Sequence, residues 1–165
     1  MNEDGSGFKF IVDLNVGKLA RWLRLMGYDT LFLPHLDDGE MIKLALSQQR
    51  VLLTRDTQIM KWHIVSSGRV KVILLEGDDP GKQLLQVVQK LNLHYQFNPF
   101  SRCLECNASL EPLNPQEVEG QVPIYVFKTQ KKYMRCPDCH RIYWRGTHWQ
   151  AMNKVLQEWQ TANST

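Results

Sequence analysis

The sequence predicts an α/β protein: a parallel sheet flanked by helices, with a small cysteine-bearing unit near the C-terminus. Three observations carry the prediction. Short, nearly all-apolar runs alternate with helical periodicity over residues 8–93, the pattern of parallel strands buried on both faces. That rhythm stops near Asn98-Pro99, after which Pro, Asn and Cys punctuate short pieces. All four cysteines then fall in two CxxC pairs, Cys103-Leu-Glu-Cys106 and Cys136-Pro-Asp-Cys139.

Each element has its own signal. Phe8–Asp13 (FKFIVD) reads as the first strand. Gly17–Met26 follows as a helix, with Leu19, Leu23 and Met26 at helical spacing and Gly27 as the stop. Thr30–Leu33 is a short second strand. Asp38–Gln49 puts Met41, Ile42, Leu44 and Ala45 on a helix behind an acidic N-terminus. Val51–Leu53, a helix from about Thr57 to Val65, the strand Val70–Leu75 and the helix Pro80–Leu91 complete four βα units. A last amphipathic helix is expected near Gln150–Trp159. The expected layout is a disordered leader over 1–7, a sheet domain over 8–97, a ribbon over 98–149, and a helix and tail over 150–165.

A chain that is 43% apolar and 22% charged can bury a real core. No apolar run approaches the roughly 18 residues of a membrane span, so no membrane partner is expected. The opening MNEDGSG lacks the layout of a secretory signal. Residence inside the cell, cytoplasmic or nuclear, is the expectation. The net charge of +3 permits an anionic partner without requiring one. Basic residues recur at Lys18, Arg21 and Arg24, over Lys128–Arg135, and at Arg141 and Arg145, while acids gather at Asp37–Glu40 and Glu76–Asp79. Separate acidic spots and basic stretches suit a metal site beside a polyanion; solvated surface charge is the competing reading.

Each CxxC turn can direct two thiolates at one point, and two turns supply the closed tetrahedral set of structural zinc. Disulfides are the rival, disfavoured in a reducing compartment. A redox CxxC needs one pair opening a helix after a strand. Cys103, Cys106, Cys136 and Cys139 are therefore read as zinc ligands holding a ribbon too small for its own core. His140 and His148 are superfluous as ligands; His148 packs or contacts a phosphate. Trp144 and Trp149 read as core or as a seam between ribbon and sheet, with base stacking the alternative.

The strand ends of the first half are acidic. Asp13 closes the first strand, Thr54-Arg55-Asp56 the third and Glu76-Gly77-Asp78-Asp79 the fourth, while Asp37-Asp38 opens the second helix. The carboxyl ends of parallel strands share one edge, where ligands bind. Carboxylates gathered there repel unless a cation offsets them, and oxygen ligands select magnesium or manganese. Asp13, Asp38, Asp56 and Asp78 together describe a phosphodiester hydrolase. Asp38 and Asp79 could instead be helix caps, Asp79 before Pro80 especially, which leaves Asp78 for the metal. Glu40 is an alternative to Asp38, and Asp29 reads as turn chemistry. Lys18, Arg21 and Arg24 share a helix face that is either solvated or holds a nucleic-acid backbone. Arg55 orients Asp56, meets a phosphate, or forms a plain surface ion pair.

The ordered blocks FIVDLNVGKLARWLRLMGYDT, DDGEMIKLA, RVLLTRD, GDDPGKQL, SRCLECNASLEPL and CPDCHRIYWRGTHW resemble the Mut-seven C-terminal RNase domain over about residues 8–152. That family joins a PIN-like (Rossmann-like) nuclease fold to a zinc ribbon, and it also ends some 3′–5′ exonucleases. No ubiquitin-like or exonuclease domain is read ahead of residue 8. The resemblance implies a metal-dependent ribonuclease acting on RNA, single-stranded, with the ribbon aiding binding. It carries the acids onto Asp13, Asp38, Asp56 and the Asp78-Asp79 pair, and the zinc ligands onto the four cysteines. Asn15 departs from the family's small or apolar residue beside the first acid. Two other functions compete: a binding module for RNA or protein with vestigial acids, and a phospho-acceptor receiver, for which a fifth strand and its Lys are missing.

Overall fold

The computed structural model describes residues 7–163. Residues 1–6 of the expected leader and the end of the tail lie outside the described residues. Strands β1 (Lys9–Val12), β2 (Asp29–Leu31), β3 (Val51–Thr54) and β4 (Val72–Leu74) form a parallel sheet in the order β2-β1-β3-β4. Alternation along each strand divides its side chains between two cores. Phe10, Val12, Val51, Leu53 and Ile73 face one, Ile11 and Leu52 the other.

Helices α1 (Leu19–Met26), α4 (Pro80–Leu91) and α6 (Thr147–Ala162) supply the first core with Leu19, Leu23, Met26, Leu84, Val87 and Leu156. Helices α2 (Asp38–Ser47) and α3 (His63–Ser66) close the second with Met41, Ile42, Ala45 and Val65. The α/β class and the helix-flanked parallel sheet are as the sequence predicts. No described helix is long and apolar enough to cross a membrane.

Three elements differ from expectation. The helix expected from Thr57 to Val65 is broken into a 3₁₀ turn, Ile59–Lys61, and the four-residue α3, with Trp62 extended between them. Only Ile59 and Val65 of that stretch are buried, too sparse a stripe to hold a continuous helix against the sheet. The last helix is longer than Gln150–Trp159. Asp29 is no turn residue: it opens β2 and pairs with Arg50 at 2.8 Å, and Arg50 also donates to the Phe10 carbonyl at 3.1 Å.

The ribbon is a three-stranded antiparallel sheet, β5 (Glu111–Leu113), β6 (Tyr133–Arg135) and β7 (Ile142–Tyr143). An unanticipated helix, α5 (Ile124–Thr129), sits with it over a small core of Val118, Val126 and Tyr133. Polar side chains fasten the ribbon to the edge strand β2. The Asn107 Oδ1 accepts from the Thr30 N–H at 2.8 Å, and its Nδ2 donates to Asp29 at 2.7 Å. Arg102 donates to the carbonyls of Gly27 (3.2 Å) and Asn107 (3.0 Å). An edge strand's unpaired N–H is thereby covered from within the chain.

Candidate functional site

In the order β2-β1-β3-β4 the chain reverses direction across the sheet between β1 and β3, and the crevice at such a switch point is where open α/β sheets bind ligands. Asp13 emerges from β1 there, held by its own N–H on the Leu53 carbonyl at 2.9 Å. Thr54, the fully buried last residue of β3, links the two strands. Its hydroxyl donates to Asp13 Oδ2 at 2.7 Å and accepts the Asp56 N–H at 3.0 Å. Asp13 Oδ1 accepts from Leu14 N–H at 2.7 Å, and Asp56 Oδ1 from Gln58 N–H at 2.8 Å. Asn15 belongs to the same frame, since its Oδ1 accepts the Arg55 N–H at 3.2 Å. Thr54 was not among the residues read from sequence as functional. Its signal is a hydroxyl at the buried end of an otherwise apolar strand.

Asp38 is not the cap of α2. Asp37 is, in a reciprocal box: its carboxylate accepts Glu40 N–H at 2.8 Å while Glu40 accepts Asp37 N–H at 2.9 Å. Glu40, the alternative to Asp38, is thus tied to the cap through one carboxylate oxygen. The Asp38 carboxyl accepts no hydrogen bond among the described residues. Burial raises its pKa, followed by the charges of Asp13, Asp56 and Asp37. Three acids distant in sequence are therefore electrostatic neighbours. They are not packed as tightly as the cysteines, which are the only group of metal-ligating side chains within 4.8 Å of one another among the described residues. Asp79 caps α4, accepting Lys82 N–H at 3.0 Å ahead of Pro80. Asp78 is exposed beside it and does not figure among the charges acting on Asp38.

Asp78 instead lines an adjoining cleft of about 570 Å³, together with Lys18, Arg21 and Arg55 and the apolar Leu14 and Phe32. Arg24 differs from its sequence reading. The residue is 5% exposed, and its guanidinium donates from Nε to the Thr30 carbonyl at 2.9 Å and from a terminal nitrogen to the Leu104 carbonyl at 2.8 Å. Burial lowers its pKa. It locks the ribbon to β2 while also lining the same cleft, its role there structural first. Arg21, one turn earlier, forms an exposed ion pair with Glu105 at 2.7 Å.

The cysteines form the second centre. Cys103 Sγ lies 3.6 Å from Cys139 and Cys106 Sγ 3.1 Å from Cys136. Four thiolates at about 2.3 Å from zinc stand about 3.8 Å apart, so the set is consistent with a structural zinc. The two knuckles repeat one geometry. Asn107 and His140 each follow a second cysteine with φ of 73° and 65°. Each donates its N–H to the carbonyl of the first cysteine at 3.0 Å. His140 is a left-handed turn residue, not a ligand. Burial works against the Cys103 thiolate, but Tyr143 and the Cys106 and Glu105 backbone outweigh it and bring the thiol to about 7. Burial and the neighbouring thiols push Cys106 to about 12. Thiols that cannot all ionise together are what a dication would resolve.

Tyr143 also went unread in the sequence. Its hydroxyl lies 3.0 Å from Cys103 Sγ and accepts the Leu104 N–H at 3.1 Å; toward a Cys103 thiolate, which has no proton to give, the hydroxyl is the donor. Trp144 packs on Tyr133 at 6.5 Å between centroids, and Trp149 meets Phe100 edge-on at 6.1 Å with Arg145 stacked on both rings. Both indoles are used in packing, Trp149 at the seam with the sheet. His148 is exposed and lines a smaller cleft between α1 and the ribbon.

The family model for the Mut7-C RNAse domain matches residues 8–156. No curated protein and no solved structure matches the chain.

Proposed function

The chain belongs to the Mut7-C RNAse domain family, and on that premise we propose that it is a metal-dependent ribonuclease whose acid edge cleaves single-stranded RNA. The observation that carries the reading is the Thr54 hydroxyl, which ties Asp13 and the start of the Asp56 loop together at the switch point. Asp38, with its raised pKa and no described hydrogen-bond donor, is the third acid beside Asp13 and Asp56. Magnesium or manganese fits this all-oxygen set.

Asp13, Asp38 and Asp56 would hold the ion, with Asp78 turned toward the adjoining cleft. A bound divalent cation supplies counter-charge for a phosphate and acidity for a water. The chain's own residues do the rest. Thr54 fixes the spacing of Asp13 and Asp56, so little reorganisation is needed on binding. Lys18, Arg21 and Arg55 line the cleft and meet the phosphates on either side of the scissile bond. Arg24 also lines the cleft, but with Nε and one terminal nitrogen bonded inside the protein it serves first to hold the wall in place. Residues 8–97 act as the cleaving unit, and 98–149 as a zinc-held ribbon that extends the binding surface. The setting is intracellular, where thiolates persist to bind zinc.

The test is cleavage of end-labelled single-stranded RNA with Mg²⁺ or Mn²⁺, and again in EDTA at matched ionic strength. Metal-dependent cleavage supports the reading. Tight RNA binding that EDTA leaves unchanged, with no cleavage under any metal, would instead identify a binding module.

A further inference from the structure

The two clefts meet. The smaller one, about 300 Å³, is lined by Arg141, Tyr143, Trp144 and His148. Arg21, Leu104 and Glu105 line both. The wall between them is therefore the Arg21–Glu105 pair, whose side chains are 44% and 42% exposed. Glu105 sits inside the first CxxC, so its position is set by the metal knuckle. An exposed ion pair is worth little and is readily exchanged.

We propose that the clefts form one continuous track for a single RNA strand, running from the acid edge over α1 and onto the ribbon, with Glu105 as a latch on Arg21. Cations recur along the whole path: Lys18 and Arg55 in the first cleft, Arg21 at the junction, Arg141 in the second. The one acid at the junction is neutralised by Arg21 when the track is empty. An incoming phosphate takes Glu105's place on the guanidinium, which suits a polyanion and penalises a neutral or cationic occupant. Cations at intervals along a narrow cleft suit the flexible backbone of a single strand. The proposal deepens the nuclease reading and rests on it, because the strand is placed by the acid edge at one end.

The latch makes a counter-intuitive prediction. Glu105→Gln frees Arg21 for phosphate and tightens binding. The slope of log K against log salt stays close to that of the wild type, because Arg21 meets the same phosphate in both complexes. Arg141→Ala removes a contact remote from the acid edge. It weakens an oligonucleotide of about twelve nucleotides and flattens its slope by about 0.7, leaving one of about three nucleotides unchanged.

The experiment is fluorescence anisotropy of both labelled oligonucleotides across a salt series, with full-length, zinc-replete protein. Asp13→Asn serves as the background, and thermal unfolding checks that each variant is folded. Tightening by Glu105→Gln and a length-selective loss in Arg141→Ala establish the track. If RNA is bound and cleaved but Glu105→Gln and Arg141→Ala change neither affinity nor slope, the track is wrong and the nuclease reading stands. Absence of RNA binding by the wild type overturns both.

Discussion

Replacing Asn107 with Ala should be among the most damaging single changes in the chain, although the side chain touches no proposed ligand. Asn107 is 7% exposed and performs three tasks. It accepts from the Thr30 N–H at 2.8 Å, and Thr30 is fully buried, so that donor is left without a partner at about 1–3 kcal/mol. It donates to the Asp29 carboxylate at 2.7 Å, a charge-assisted bond of about 1.5–3 kcal/mol. Its φ of 73° costs Ala about 1 kcal/mol and Asn little. The three overlap, and relaxation recovers part, so the expected loss is about 3–5 kcal/mol. For a chain of this length each kcal/mol moves Tm by about 2–4 °C, which puts the shift near 10 °C. Asn107→Gly loses both hydrogen bonds but tolerates the backbone, so it should lie about 1 kcal/mol above the Ala variant. Thermal and urea unfolding by circular dichroism, with zinc content measured on each sample, decides the matter. An Ala variant within about 1 kcal/mol of wild type at full zinc occupancy would refute the role given to Asn107 at the sheet edge.

Three further outcomes follow from the same geometry. Burial opposes ionisation of Asp29, but hydrogen bonds from Arg50 and Asn107 outweigh it and hold the carboxyl below its ordinary range. Its contribution is therefore present above the unfolded value of about 3.9 and lost as pH falls through the lower folded one; Asp29→Asn should flatten the stability curve below about pH 4. Asp38 has the opposite sign: burial and then Asp13 and Asp56 raise its pKa, so its ionised form subtracts stability at neutral pH. Asp38→Asn should raise Tm slightly at pH 7 without metal, and Mn²⁺ should stabilise the wild type more than the variant by differential scanning fluorimetry. Tyr143→Phe removes the donor to Cys103 and the acceptor for Leu104 N–H. It should weaken zinc binding about 10–100-fold in competition with a chromogenic chelator, with a stoichiometry of one zinc per chain.

The four βα units were legible because strands buried on both faces of a parallel sheet leave apolar runs that nothing else in the chain imitates. The convergence of Asp13, Asp38 and Asp56 was legible for a topological reason: parallel strands bring their carboxyl ends to one edge whatever the loops do. The knuckles were legible from spacing alone. What escaped were residues defined by partners far along the chain. Arg24 shares a helix with Arg21, yet its burial is decided by the Leu104 carbonyl 80 residues away. Asp29 looked like a turn because Arg50 lies 21 residues on. Asn107 followed a cysteine as any knuckle residue might, and only the position of β2 gives it work. The broken segment 57–66 failed for a different reason: its many β-branched and aromatic residues favour a helix only weakly, and the apolar stripe was too thin to hold one.

The central claim, that Asp13 and Asp56 carry metal-dependent RNA cleavage from a frame built by Thr54, is tested most directly by single-turnover kinetics. Wild type, Asp13→Asn and Asp56→Asn are compared on one single-stranded RNA in saturating Mn²⁺, with Tm and zinc content matched. The account predicts that each variant loses at least about a hundredfold in the cleavage rate, roughly 2.7 kcal/mol of barrier, while RNA affinity stays within a few-fold of wild type. Cleavage persisting at the wild-type rate in both variants would contradict it.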